Sequence, residues 1–205
     1  MSIQIDARLK IMRSLGIDLP GLSRKSIENR PHPPGQHGPN SSRRRKSEYG
    51  LALIEKQKLR FNYGVAERQL RTMMVEARRK AGPSGELLLQ MLECRLDNVV
   101  FRAGWAPTIP AARQLVSHCH ILLNGKRANI ASIRLRAGDE VSLRERSRSI
   151  TMVHNSAEAP SLERPEWLSY DPVTFTAKIT RLPEADEVPF PVEIHLVVEH
   201  YAKSM

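Results

Sequence analysis

Between Ile109 and Arg127 the chain sets an amphipathic helical pattern, a short apolar run and an Asn-Gly pair directly one after another. Few backbones satisfy all three. Ile109, Ala112, Leu115 and Val116 recur at helical spacing, which leaves Arg113, Gln114, Ser117 and His118 for the other faces. Thr108 predicts the cap of this helix, and Pro110 falls in its first turn, where a missing N–H does no harm. Ile121 to Leu123 predicts a strand, and Asn124-Gly125 is the pair that a two-residue type I′ hairpin requires, because both central residues take positive φ. Lys126 and Arg127 follow the turn. A helix side bearing Arg, Gln and Ser beside a basic hairpin predicts one surface that donates to phosphate and ribose, with His120, Asn124 and Arg134 in the same candidate set.

The charge distribution points the same way. Residues 1 to 150 hold 28 Lys and Arg against 13 Asp and Glu, whereas residues 151 to 205 hold 4 against 9. The first three quarters therefore predict a polyanionic partner, with the acidic remainder turned away from it. Two cysteines, Cys94 and Cys119, make no disulfide framework, so the expected compartment is reducing. No apolar run reaches the ~18 residues of a membrane span and the first residues lack a signal-peptide core, so the expectation is cytoplasmic or inside an organelle, with no membrane partner.

Residues 1 to 46 are interrupted by Pro20-Gly21, Pro31, Pro33-Pro34-Gly35 and Gly38-Pro39, and predict an extended basic arm. Its candidate RNA contacts are Arg8, Lys10, Arg13, His32, Gln36, His37 and the run Arg43, Arg44, Arg45, Lys46. Ser47 predicts an N-cap, and a helix follows to about Asn62. A second helix places Ala66, Leu70, Met73, Met74 and Ala77 on one face and stops at Gly82-Pro83; a third starts near Ser84 and breaks at Cys94-Arg95. Beyond the hairpin, Ile133 and Leu135 alternate with arginines, and Val141 and Leu143 alternate again, predicting antiparallel strands. The polar stretch 147 to 165 predicts a loop, the alternation from Trp167 to Ile179 predicts further strands of the same sheet, and the apolar run from Ile194 packs back on the helices. The fold class is α+β: a helical domain with a small antiparallel-sheet domain.

Around the joint between the first two of these helices, Lys56, Lys58, Arg60, Asn62, Tyr63, Arg68 and Arg71 gather donors and one aromatic. That set suits a folded RNA junction, with cations on close phosphates and Tyr63 stacked on a base or ribose. A solvated basic face with Tyr63 in the core is the alternative.

Taken together, LPGL at Leu19 to Leu22, PPGQHG at Pro33 to Gly38, EKQKLRFNYGV at Glu55 to Val65, ERQL at Glu67 to Leu70, RLDNVVFRAG at Arg95 to Gly104, and AARQLVSH followed by HILLNGKR resemble the bacterial-type ribosomal protein S four family. The resemblance covers nearly the whole chain. It implies a basic arm over 1–46, a helical domain over 47–93 completed by about 187–205, and an inserted RNA-binding domain over 94–186 with its core module at 94–146. It also implies a non-enzymatic structural protein of the small subunit, an early contact to a 16S rRNA junction in assembly of the subunit body, and an influence on translational accuracy. The implied partners are 16S rRNA, the neighbouring S five protein and mRNA near the path by which it enters.

Four residue groups test the resemblance. Family members often carry four zinc-binding cysteines in the arm; this one has none, and His32 with His37 cannot complete a tetrahedral site. His118-Cys119-His120 cannot easily converge on one ion, so no metal and no cofactor is expected. Cys119 stands where the family usually has glycine, at the left-handed turn after the helix, where a side chain costs on the order of 1 kcal/mol. Arg95-Leu96-Asp97 resembles the nucleophile motif of pseudouridine synthases, but the chain lacks room for their catalytic domain, and Asp97 is expected to be a helix-surface or capping carboxylate. An RNA-modifying enzyme or a ribosome-associated rescue factor built on the same module is the competing class.

Overall fold

A computed structural model of the chain describes residues 7–43 and 46–204. Among them are eight α-helices and five strands, divided between two compact units: residues up to Leu88 together with Phe190 onward, and the contiguous stretch Leu89–Pro189.

The first unit is helical. α1 (Arg8–Leu15), α2 (Glu48–Asn62), α3 (Glu67–Arg79), the first half of α4 (Ser84–Glu93) and α8 (Ile194–Ser204) surround a core of Met12, Leu19, Leu22, Leu59, Tyr63, Leu70, Met74, Leu88 and Val197. Ser47 caps α2 by accepting from the Gly50 N–H at 3.2 Å, as its sequence position predicts. The segment expected to be an extended arm is a working part of this core. Met12, Leu19 and Leu22 have no exposure, and the Gly21 N–H donates to the buried Asn62 Oδ1 at 2.9 Å. Its prolines do interrupt regular structure, yet they sit in turns that return apolar residues to the helices. One such turn is very close: a Cβ on Gly38 would lie 2.0 Å from the Pro33 carbonyl oxygen, so PPGQHG closes only around glycine.

The second unit pairs two helices, α5 (Leu96–Arg102) and α6 (Ile109–Ser117), with an antiparallel sheet and a further helix, α7 (Thr151–Glu158). The sheet runs in the order β2 (Lys126–Ala128), β1 (Ile121–Leu123), β3 (Glu140–Leu143), β5 (Thr176–Ile179), β4 (Leu168–Asp171). Ile121, Ala128, Val141, Leu143, Ala177 and Ile179 are all buried, so one face of the sheet carries the core with the two tryptophans, Trp105 and Trp167.

Two predicted elements change. Ile133 to Leu135 is not a strand; its backbone instead meets α5, with Leu96 N–H donating to the Ile133 carbonyl and Leu135 N–H to the Cys94 carbonyl, both at 2.8 Å. The first bond gives a partner to an N–H at the start of α5, and the second occupies the carbonyl between α4 and α5. The stretch 147 to 165 holds α7, whose two buried residues, Val153 and the polar Ser156, leave no apolar stripe to stand out from its neighbours. In the alternating run after Trp167, Val173 and Phe175 belong to the β4–β5 turn, where the Asp171 carboxylate accepts from Val173 N–H at 2.9 Å and Thr174 Oγ1 at 2.6 Å.

Candidate nucleic-acid interface

The geometry between α6 and the β1–β2 hairpin follows from local chemistry. Thr108 Oγ1 accepts from the Ala111 N–H at 3.4 Å, and Ile109, Ala112, Leu115 and Val116 are buried while Gln114, Ser117 and His118 are exposed. The helix ends in a left-handed residue, Cys119 at φ 60, with Cys119 N–H bonded to the Val116 carbonyl and His120 N–H to the Leu115 carbonyl. This is a Schellman stop, normally a glycine position. Arg144 Nη1 donates to the Cys119 carbonyl at 3.2 Å, so the turn is braced from β3's C-terminal side.

The hairpin that follows takes positive φ at both Asn124 (50) and Gly125 (77), the requirement of a type I′ turn. Asn124 is committed to the protein. Its Oδ1 accepts from Glu140 N–H at 2.8 Å and its Nδ2 donates to Asp139 at 2.9 Å, which ties the exposed tip to β3. Lys126 and Arg127 are exposed on the returning strand, and Arg134 is exposed nearby in sequence. His120 turns inward, its Nδ1 2.9 Å from Ser147 Oγ. Burial, with the neighbouring His118 and Arg144, holds its imidazole below the usual range and therefore neutral near pH 7.

Arg113 is not a surface donor of the kind expected. Its guanidinium grips Asp97, with Nε at 3.0 Å and Nη2 at 2.6 Å from Oδ2, while Arg95 holds the same carboxylate through Nε and Nη2 at 3.0 and 2.8 Å. Asp97 also accepts from Asn98 N–H, but it is the second residue of α5 rather than its cap, and it is fully buried rather than on the helix surface. Beside it, Glu93 bonds Asn98 Nδ2 at 2.8 Å and lies 3.6 Å from Arg102. A carboxylate enclosed by two arginines has no open face for a substrate.

In the helical unit, the residues expected at one RNA joint divide. Tyr63 has no exposure and packs against Phe190, so it cannot stack on a base; Asn62 is likewise buried. Lys56 pairs with Glu67 at 2.8 Å, and Lys58 with Glu55 at 2.6 Å. Those two carboxylates in turn hold α8: Tyr201 Oη donates to Glu67 at 2.9 Å, and Glu193 N–H to Glu55 at 3.0 Å. Burial alone would raise the Glu67 carboxyl, but the Lys56 and Tyr201 hydrogen bonds and the Lys56 and Arg60 charges outweigh it and hold it low. Arg60 lies over the Phe61 ring at 5.1 Å, and only Arg68 and Arg71 of the group are exposed.

In the first segment Arg8, Lys10, His32, Gln36, His37 and Lys46 are exposed. Arg13 donates to the carbonyls of His32 (2.9 Å) and Pro33 (3.4 Å), fixing the loop that carries those histidines. Arg44, Arg45 and the Arg43 side chain lie outside the described residues. No three His, Cys, Asp or Glu side chains gather as metal ligands among the described residues, and no described helix is long and apolar enough to cross a membrane.

The family described as Ribosomal protein S4/S9 N-terminal domain matches residues 4–93, and the S4 domain family matches residues 94–141. The small ribosomal subunit protein uS4 of Methylobacillus flagellatus is 60% identical over 198 residues, 97% of each chain. The chain belongs to the uS4 family. Protein uS4B of Nitrosomonas europaea is also 60% identical over 97% of each chain, and uS4 of Thermosynechococcus vestitus is 50% identical over 97% of this chain and 96% of its own.

Seen as a uS4 chain, the second unit extends past its S4-domain match: β4, β5 and α7 all follow residue 141. Cations outside the predicted set also reach the surface. Arg78, Arg79 and Lys80 end α3, Arg24, Lys25 and Arg30 line the first segment, and Arg136 and Arg146 flank β3. Charge alone marks them in the sequence; a motif does not.

Proposed function

We propose that this chain is a structural constituent of the small ribosomal subunit, works in the cytoplasm, and binds 16S rRNA directly. The reading rests on the S4-domain match over residues 94–141, where a Schellman stop and a type I′ turn fix exposed Gln114, Ser117 and His118 and exposed Lys126 and Arg127 on one continuous run of chain. Fixed donors lose little freedom on binding phosphate and ribose. Arg8, Lys10, Gln36, Lys46, Arg68 and Arg71 supply a second group of contacts on the helical unit.

A protein with two cation-bearing units suits a folded junction better than a single stem, and this supports a role early in assembly of the subunit body. The neighbouring S five protein, mRNA near its point of arrival, and an effect on accuracy complete the reading; the acidic stretch after residue 151 is the surface for a protein neighbour.

The test is sedimentation of the tagged full chain through sucrose gradients in high salt. Retention in small subunits is the expected outcome. Release into the free fraction, or migration with large subunits, would sink the proposal.

A further inference from the structure

Between α1 and the turn that follows Leu22 lies a cleft of about 420 Å³, lined by Leu9, Arg13, Lys25, Ser26, Ile27, Glu28, Asn29 and Arg30. This falls within the ~300–1,000 Å³ of small-molecule sites. Leu9 and Arg13 are one helical turn apart on α1 and form one wall. The other wall is held in shape by Asp18, whose carboxylate accepts from Ser26 Oγ at 2.6 Å and Ile27 N–H at 2.9 Å, and by Arg30 N–H donating to the Ile27 carbonyl at 2.8 Å. The cleft is thus built before anything enters it.

Its chemistry is two-sided. Leu9, 38% exposed, and the half-buried Ile27 present apolar surface, while Arg13, Lys25 and Arg30 outnumber the single acid, Glu28. Arg13 is oriented by two main-chain carbonyls, which carry no net charge of their own. An acidic peptide would satisfy the cations but not the apolar floor, and an apolar side chain the reverse. A nucleotide has both parts, a flat base and a phosphate, and Asn29 adds an amide able to pair with a base edge.

We propose that this cleft receives one unstacked, unpaired nucleotide of the bound RNA, its base against Leu9 and Ile27 and its phosphate at Arg13, Lys25 and Arg30. The proposal rests on the rRNA-binding reading above. It makes the first segment a point of base-level recognition rather than only a source of positive charge.

The full chain bound to a 16S rRNA junction fragment would be cross-linked with ultraviolet light, digested, and searched by mass spectrometry for nucleotide adducts. Adducts on the peptides holding residues 9–13 and 25–30 are expected. Leu9→Glu sets a carboxylate beside the phosphate position from an exposed helix residue; it should remove those adducts and weaken binding roughly fivefold or more, the lower end of the range for losing one stacked base. Lys25→Glu, which changes no buried residue, should weaken it similarly.

Wild-type adducts confined to other peptides, or Leu9→Glu binding at full strength with unchanged adducts, would overturn the cleft proposal while leaving rRNA binding intact. Failure of the wild-type chain to bind the fragment would refute the broader reading instead. Displacement of the fragment's cleft adducts by a poly-glutamate peptide, but not by a single-stranded oligonucleotide, would assign the cleft to an acidic protein segment and equally overturn it.

Discussion

Arg113 Nη2 lies 2.6 Å from Oδ2 of Asp97, so an arginine that the helix pattern offers to RNA is a brace between α5 and α6. Its partner has no exposure and also holds Arg95. Buried carboxylates of this kind are costly to neutralise, because the cations around them are left without a counter-charge. Asp97→Asn should therefore destabilise the second unit by about 3–5 kcal/mol, the range for breaking a buried pair. Urea denaturation followed by tryptophan fluorescence reads it, since Trp105 and Trp167 are both buried in that unit. A change below about 1 kcal/mol, the range of exposed pairs, would show that the cluster is not the brace described.

Cys119 occupies a left-handed turn at φ 60 with both Schellman hydrogen bonds formed. Removing its Cβ should relieve the strain while keeping both bonds. Cys119→Gly is expected to raise unfolding stability by about 1 kcal/mol, and Cys119→Val to lower it, by equilibrium denaturation under reducing conditions. Equal stability for all three chains would mean that the turn relaxes at no cost.

The exposed hairpin cations should matter for RNA in a way that cations elsewhere do not. Lys126→Glu with Arg127→Glu is expected to lower affinity for a 16S junction fragment more than Lys178→Glu with Lys203→Glu, and to flatten the log–log salt dependence by roughly 0.7–0.9 for each phosphate that is no longer neutralised. Filter binding across a salt series distinguishes the two. Identical slopes would place the RNA surface elsewhere.

Glu67 ties α3 to α2 and α8, and its carboxyl is held below its ordinary value of 4.5. A group with a lowered folded pKa binds its proton more readily when unfolded, so its contribution is present at neutral pH and is lost as pH falls below 4.5 toward the folded value. Wild-type urea midpoints should drop through that window, and Glu67→Gln should show a shallower drop from a lower starting point. A variant whose profile parallels the wild type would remove Glu67 from the acid response.

Gly38 faces the Pro33 carbonyl at a distance that no Cβ can share. Gly38→Ala should open the loop carrying Gln36 and His37 at a cost of about 1–3 kcal/mol, an overpacking penalty. Proteolysis of the intact chain would show faster cutting between residues 32 and 40, whereas an unchanged pattern would mean the loop adapts freely.

Much of the molecule is legible where sequence rules are local. Thr108, the Ile109–Val116 stripe, the Asn-Gly turn and Ser47 each act through partners a few residues away, and each appears where the pattern places it. The departures share a cause. Lys56 and Lys58 resemble RNA donors in the sequence because the groups that fix their carboxylates, Tyr201 on Glu67 and Glu193 on Glu55, come from 134 and 138 residues away. Arg113 departs for the same reason, since its partner Asp97 belongs to another helix. Ile133 to Leu135 has the alternation of a strand, but the Ile133 carbonyl and the Leu135 N–H pair with Leu96 and Cys94 at the junction of α4 and α5. In the first segment the prolines describe turns and say nothing of what the turns bring inward.

The helical unit has a seam in time. Glu67 and Glu55 are made early, yet the Tyr201 hydroxyl and the Glu193 N–H that complete their bonding belong to α8 and its lead-in, which are synthesised only after the whole of Leu89–Pro189. The sheet unit is contiguous and can close while still attached to the ribosome that makes it. The helical unit must wait for α8 and its lead-in, so a nascent chain stalled after Pro189 would leave Tyr63 without Phe190 and Glu67 without Tyr201, open to any chaperone nearby.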